Sequence, residues 1–197
     1  PANYATNILA SASTVEYYGT NQSVSAKNYG NLKLSSSGTA TKTLPASALV
    51  LAGNLVSATN APGASVNFTN AAAMTVNGSV SIGAGTTLNA STFSHSVGAN
   101  WTNQGTFAGA SSTITLNGAN GFMTGAGVNN FFNLTVAQAG VTADAATSLN
   151  VAGNFATTGA GAFTQTAGGA GGLTMSGASK TISGNSITFG KLTLSGS

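Results

Sequence analysis

Few side chains in this chain could do chemistry. Its 197 residues include two carboxylates, Glu16 and Asp144, one histidine, His95, five lysines, no arginine and no cysteine. A nucleophilic triad needs a hydroxyl, a base and an orienting acid within hydrogen-bond reach of one another. His95 lies in Phe93-Ser94-His95-Ser96-Val97, where alternation puts it on the same face as the apolar pair. That pattern predicts a packed or rim histidine. Glycoside cleavage needs paired carboxylates in one cleft, and the two acids here are 128 positions apart. Without cysteine there is no disulfide framework, zinc finger or iron–sulfur site. The sequence therefore predicts no enzyme, no metal and no cofactor.

The remaining motifs have plainer readings. Gly168-Gly169-Ala170-Gly171-Gly172 and Gly159-Ala160-Gly161 lack the Lys-Ser/Thr of a phosphate loop and the aspartates of a calcium roll. They read as turns. Asn-x-Ser/Thr sequons at Asn21, Asn67, Asn77, Asn89 and Asn133 are what the composition delivers by chance. The formal charge of +3 comes from scattered lysines, not from the clustered basic face that marks a nucleic-acid binder. No apolar run approaches the roughly 20 residues of a membrane-spanning helix. Trp101, Tyr17, Tyr18, Tyr29 and Phe131 could form an exposed binding platform, but stacking in a core is the default. Tyr17 and Tyr18 are adjacent, so in a strand one of them must face outward.

These side chains have to be carried by short strands. Leu32-Lys33-Leu34, Met74-Thr75-Val76, Ile114-Thr115-Leu116, Leu134-Thr135-Val136, Leu149-Asn150-Val151, Leu173-Thr174-Met175 and Leu192-Thr193-Leu194 all alternate apolar with polar. This is the period of half-buried strands. Each run is closed by Gly, Asn, Ser or Ala, and no apolar spacing of 3.6 persists. At 42% hydrophobic, with nine Phe and only three Pro, the chain is apolar enough to fold rather than stay disordered.

The strands also recur. Gly78, Gly98 and Gly118 are 20 residues apart. A longer offset of 99 to 100 residues relates Val15-Glu16-Tyr17-Tyr18-Gly19 to Ile114-Thr115-Leu116-Asn117-Gly118, and Leu49-Val50-Leu51-Ala52-Gly53-Asn54-Leu55 to Leu149-Asn150-Val151-Ala152-Gly153-Asn154-Phe155. A unit of about 20 residues holding two or three short strands is the coil of a solenoid. The expected fold is all-β: a parallel β-helix, or β-solenoid, with rungs of about 20–25 residues. Eight or nine such rungs would make a rod about 40 Å long. Leu, Val, Ile and Phe would stack inside, with Thr, Ser and Asn outside.

The stretches Tyr17-Tyr18-Gly19, Tyr29-Gly30-Asn31-Leu32-Lys33-Leu34, Leu49-Val50-Leu51-Ala52-Gly53-Asn54-Leu55 and Phe131-Phe132-Asn133-Leu134-Thr135-Val136 resemble repeats of bacterial secreted surface proteins of the filamentous-haemagglutinin and autotransporter type. That resemblance implies a parallel β-helix, an extracellular or cell-surface location and a structural or adhesive role. It carries over no catalytic residue. The first residue, Pro1, suits a chain from which a secretion signal has been removed.

Both ends of a solenoid expose strand edges that template further pairing. Residues 1–12 are expected to be a donor segment and 13–197 the solenoid domain. By analogy with the run from Leu34 to Gly53, a segment like Leu49-Val50-Leu51 should follow Leu194, and the N-terminus of another copy could supply it. The expected interface residues are Ile8, Leu9, Val15, Tyr17, Tyr18, Leu192 and Leu194. The expected function is a structural subunit of a self-assembling extracellular filament, polymerising head to tail. Its partners would be copies of itself, with a cell surface or biofilm matrix as a further contact. The competing role is an adhesive stalk or passenger domain of a larger surface protein.

Overall fold

The computed structural model describes residues 9–196. All of its regular structure is parallel β, wound as a solenoid of nine coils. Sheet A has nine strands, from Thr14–Tyr18 and Asn31–Ser36 to Ile187–Thr188. Sheet B has nine, from Gln22–Ser23 and Thr39–Thr43 to Leu192–Leu194. Sheet C has seven, from Leu49–Leu51 to Ile182–Ser183. The chain visits A, B and C in turn and then steps up one strand spacing. Along sheet A, paired positions lie from 17 residues apart (Val15 and Leu32) to 25 apart (Leu55 and Val80). Nine coils at about 4.8 Å give a stack about 40 Å tall. Among the described residues no helix is long and apolar enough to cross a membrane.

Alternation decides which side chains enter the core. On sheet B the inward column runs Lys42, Phe68, Leu88, Phe107 through successive paired strands. On sheet A it runs Val15, Leu32, Leu55, Val80, Trp101, Met123. Trp101, Phe107 and Phe131 form one aromatic cluster, with ring centroids 4.8 to 5.4 Å apart. Phe155, Phe163 and Phe189 form a second near the C-terminal end, at 5.1 to 6.0 Å. Tyr17, Tyr29, Trp101 and Phe131 are all buried, and only Tyr18, 56% exposed, faces out. Four of the five candidate aromatics are thus core and do not form an external platform, while Phe122, outside that set, is 55% exposed.

The corners explain the asparagines and glycines. Asn31 Oδ1 accepts from Asn54 N, and Asn54 Oδ1 accepts from Ser79 N, each at 2.8 Å. Asn133 and Asn154 do the same at the next corner, for Asn154 N at 2.9 Å and Thr181 N at 3.1 Å. A side-chain carbonyl in one coil therefore satisfies a backbone donor where the chain bends in the next. Gly98 sits opposite Asn77 and Asn117 where coils approach so closely that a Cβ would collide with the Asn77 carbonyl.

The longer sequence offset is not a structural period. Thr14–Tyr18 lies on sheet A, whereas its sequence counterpart Thr113–Leu116 lies on sheet C. Leu49–Leu51 is on sheet C and Ser148–Val151 on sheet B. All three faces demand the same alternation, so one sequence pattern suits any of them. The analogy for what should follow Leu194 is corrected accordingly. Asn31–Ser36 is a sheet A strand and Leu192–Leu194 a sheet B strand. Within the chain, a sheet B strand is followed by one on sheet C, as Gly172–Met175 is by Ile182–Ser183, and then by one on sheet A.

His95 is a core residue. Its Nδ1 accepts from Met74 N at 3.1 Å and its Nε2 donates to Ala90 O at 2.9 Å, so the neutral ring bridges neighbouring segments. Desolvation depresses its pKa below the usual histidine value, and the bond to Ala90 opposes this in part. A base with a lowered folded pKa binds fewer protons folded than unfolded. Its contribution is full above about pH 6.5 and is lost as the pH falls through the folded value.

Two measurements test these assignments. Gly98→Ala should destabilise the fold by about 1–3 kcal/mol, the usual cost of overpacking, in chemical denaturation. Wild-type protein should lose melting temperature as the pH drops from 7 to 5. His95→Asn should start lower and show a flatter profile over that range. An equally steep profile in the variant would remove His95 as the cause.

Candidate assembly interface

The two ends of the stack are built differently. At the N-terminal end, Lys42 points inward from Thr39–Thr43 and is fully buried. Its aliphatic stem lies in the column between Gln22 and Phe68. Its Nζ donates to Gly19 O at 3.0 Å, Thr20 O at 2.9 Å and Gln22 Oε1 at 2.7 Å. Burial pushes its pKa below the ordinary lysine value, and three acceptors offset the cost of desolvating the ammonium. Next to it, Tyr17 Oη and Tyr29 Oη are 2.9 Å apart, Ser25 N donates to Tyr17 Oη at 2.9 Å, and Tyr29 donates to Ser25 O at 2.7 Å. Desolvation and the Tyr17 bond raise the Tyr29 pKa. The first coil is thus tied to the second by side chains as well as by backbone ladders.

The C-terminal end has no buried lysine or tyrosine cluster of this kind among the described residues, and its coil is tied by single side-chain bonds such as Thr157 Oγ1 to Asn185 O at 2.7 Å. Ile182, Ile187 and Phe189 are half-buried against the core, and Leu192 and Leu194 are 43% and 72% exposed. Leu192 continues the inward column of Leu149 and Leu173, and Leu194 that of Val151 and Met175. These are core positions with no strand above them among the described residues. A depression of about 300 Å³ at this end is lined by Met175, Lys180, Ile182 and Leu194, among others. Ile182–Ser183, Ile187–Thr188 and Leu192–Leu194 are the last strands of their sheets, so the outer backbone edge of each is unpaired among the described residues.

The residues expected at the interface fall into two sets at opposite ends of the rod. Val15, Tyr17 and Tyr18 belong to the first strand of sheet A, with Val15 half-buried and Tyr17 buried. Leu9 packs partly buried against the chain's own core. Ser13 N and Oγ bond Ala10 O, and Asn31 Nδ2 donates to Ala12 O, so residues 10–13 lead into the first coil and stack on the Gly30–Asn31 corner of the second. Ile8 lies outside the described residues. Leu192 and Leu194 lie at the far end. Sequence reasoning missed Lys42, Gln22, Ile182, Ile187 and Phe189. Lys42 was legible, because alternation in Thr39-Ala40-Thr41-Lys42-Thr43 puts it on the face of Ala40. Ile182 and Ile187 lie in strands of two residues, too short to show a period.

The ionisable groups do not converge. Glu16 pairs with Lys33 at 3.1 Å and accepts from Ser35 at 2.5 Å. The Ser35 bond and then Lys33 hold its pKa below the ordinary carboxylate value. Asp144 Oδ1 accepts from Ala146 N, Thr147 N and Thr147 Oγ1, closing a turn. No group of three or more His, Cys, Asp or Glu that could hold a metal occurs among the described residues. Comparison with protein-family models, curated proteins and solved structures finds no match.

Lys42→Met should remove the latch while keeping the stem's packing. It leaves three acceptors unpaired, which should cost about 1–3 kcal/mol. Amide exchange should accelerate in residues 14–25 and remain unchanged around the Trp101 cluster. Uniform acceleration would show that Lys42 does not act on the first coil specifically.

Proposed function

We propose that this chain is a structural subunit of an extracellular filament, polymerising head to tail, with the C-terminal coil of one copy completed by the N-terminal part of the next. The single observation carrying this reading is the uncovered C-terminal coil, where core-facing Leu192 and Leu194 stand exposed beside unpaired strand edges. Fully covering one leucine is worth roughly 1.5–3 kcal/mol, and backbone pairing adds direction and register. All strands run parallel, so the edge at one end of each sheet is complementary to the edge at the other. A contact between two different surfaces of this kind does not close on itself and propagates. The low charge, 4% of residues, leaves little repulsion between subunits. It also suits the secreted setting that the resemblance to bacterial surface repeats implies.

Negative-stain microscopy of the purified chain should show long fibres one solenoid wide or bundles of them. The double variant Leu192→Asp/Leu194→Asp should stay monomeric in sedimentation velocity while keeping its β-sheet circular dichroism. Short unconnected rods from the unmodified chain would sink the filament reading and favour a stalk.

A further inference from the structure

The filament reading leaves open how two copies meet, and the register of sheet B narrows this to one arrangement. The two residues of the first sheet B strand and the one that follows already have a place in the lattice of paired positions. Gln22 pairs with Lys42, Ser23 with Thr43, and Val24 N bonds Thr43 O, which puts Val24 one step further along the same line. At the other end Leu192, Thr193 and Leu194 pair with Leu173, Thr174 and Met175. Followed strand by strand, the inward column that begins at Gln22 and Lys42 ends at Leu192, and the outward row that begins at Ser23 and Thr43 ends at Thr193. Both ends of each column therefore point the same way, inward or outward, and the strands run in the same direction.

We infer that the C-terminal coil of one copy is covered by the first coil of a second copy stacked in register, with Gln22, Ser23 and Val24 of the incoming copy directly above Leu192, Thr193 and Leu194. This rests on the filament reading and specifies its junction. Three observations favour a second copy as the occupant. The uncovered surface is an apolar cross-section of this same solenoid, and the first coil offers half-buried Val15 and the stem of half-buried Gln22, the latter above Leu192, while Val24, in line with Leu194, is already buried within its own chain. The strands at both ends are short, two residues at Gln22–Ser23 and three at Leu192–Leu194, so their lengths fit. The outward row across the junction, Thr174 and Thr193 followed by Ser23 and Thr43, stays uncharged, and nothing in it repels. The lysine latch adds rigidity: it holds Gln22 and the Gly19 and Thr20 carbonyls of the incoming coil in place before docking.

The chain has no cysteine, so the junction can be tested with two introduced ones. Directly opposed residues on neighbouring strands are close enough for a disulfide. The Ser23→Cys/Thr193→Cys chain, whose two sites face solvent, is allowed to assemble, oxidised with copper–phenanthroline and run on non-reducing gels. A ladder of covalent multimers, absent from both single variants, is the expected result. Crosslinked dimers from Thr193→Cys alone would show two C-terminal ends meeting and would overturn the stacking. Fibres that form without any crosslink would overturn the register and leave the filament reading standing. A double variant with wild-type circular dichroism that neither crosslinks nor assembles, alongside an unmodified chain that stays monomeric, would overturn both.

Discussion

Every other feature of this molecule depends on the backbone hydrogen bonds that run along the solenoid axis. In a globular sheet those bonds are satisfied sideways within one layer. Here each coil can satisfy its N–H and C=O groups only through the coils above and below it. Side chains in one column therefore repeat at about 4.8 Å, and each column accepts only what packs on its own neighbours. The aromatic cluster of Trp101, Phe107 and Phe131 and the glycine at position 98, set against the Asn77 carbonyl, are two answers to that demand. One fills the interior, and the other lets the corners approach.

The same constraint gives the corners their chemistry. A chain turning through three faces every 20 or so residues must leave some donors without a strand partner. Asparagine side chains meet this need by reaching one coil along, as Asn31 does for Asn54 and Asn54 for Ser79. Charge is used sparingly. Glu16 and Lys33 meet on the outer surface of sheet A, half-exposed, where a pair contributes little. The one lysine taken inside, Lys42, is surrounded by neutral acceptors rather than a carboxylate.

Much of this was readable in the chain itself. Alternation over three to five residues places Leu32, Leu34, Val76, Leu116 and Val151 inside, and it puts His95 with them. The 20-residue spacing of Gly78, Gly98 and Gly118 comes close to the coil without matching it, because the paired positions Val76, Val97 and Leu116 are 21 and 19 residues apart and set Gly98 opposite Asn77 and Asn117. The offset near 100 residues misleads because alternation carries no label for the face it occupies, so matching segments settle on different sheets. The ends were harder. Leu192 and Leu194 announce a strand, yet only the winding of the chain makes it the last strand of sheet B. Ile182, Ile187 and Phe189 sit in segments too short for any period to identify them. Gln22 owes its role to a lysine twenty positions away, a relation fixed by winding and not by local sequence.

The different ends also bear on how the rod responds to pulling. The described residues start at one end of the stack and finish at the other, so tension between them is directed along the hydrogen bonds. Such a load opens coils one after another instead of shearing whole sheets at once. Each coil of about 20 residues releases roughly 65–70 Å of extended chain when it opens. The first coil, with its two-residue strand on sheet B, resists through the Lys42 contacts, whereas the last coil is held by backbone ladders, by single side-chain bonds such as Thr157 Oγ1 to Asn185 O, and by apolar side chains that are half-buried or exposed. Under force the stack therefore yields from its C-terminal end, in steps of one coil, as an extensible element that lengthens gradually before it parts.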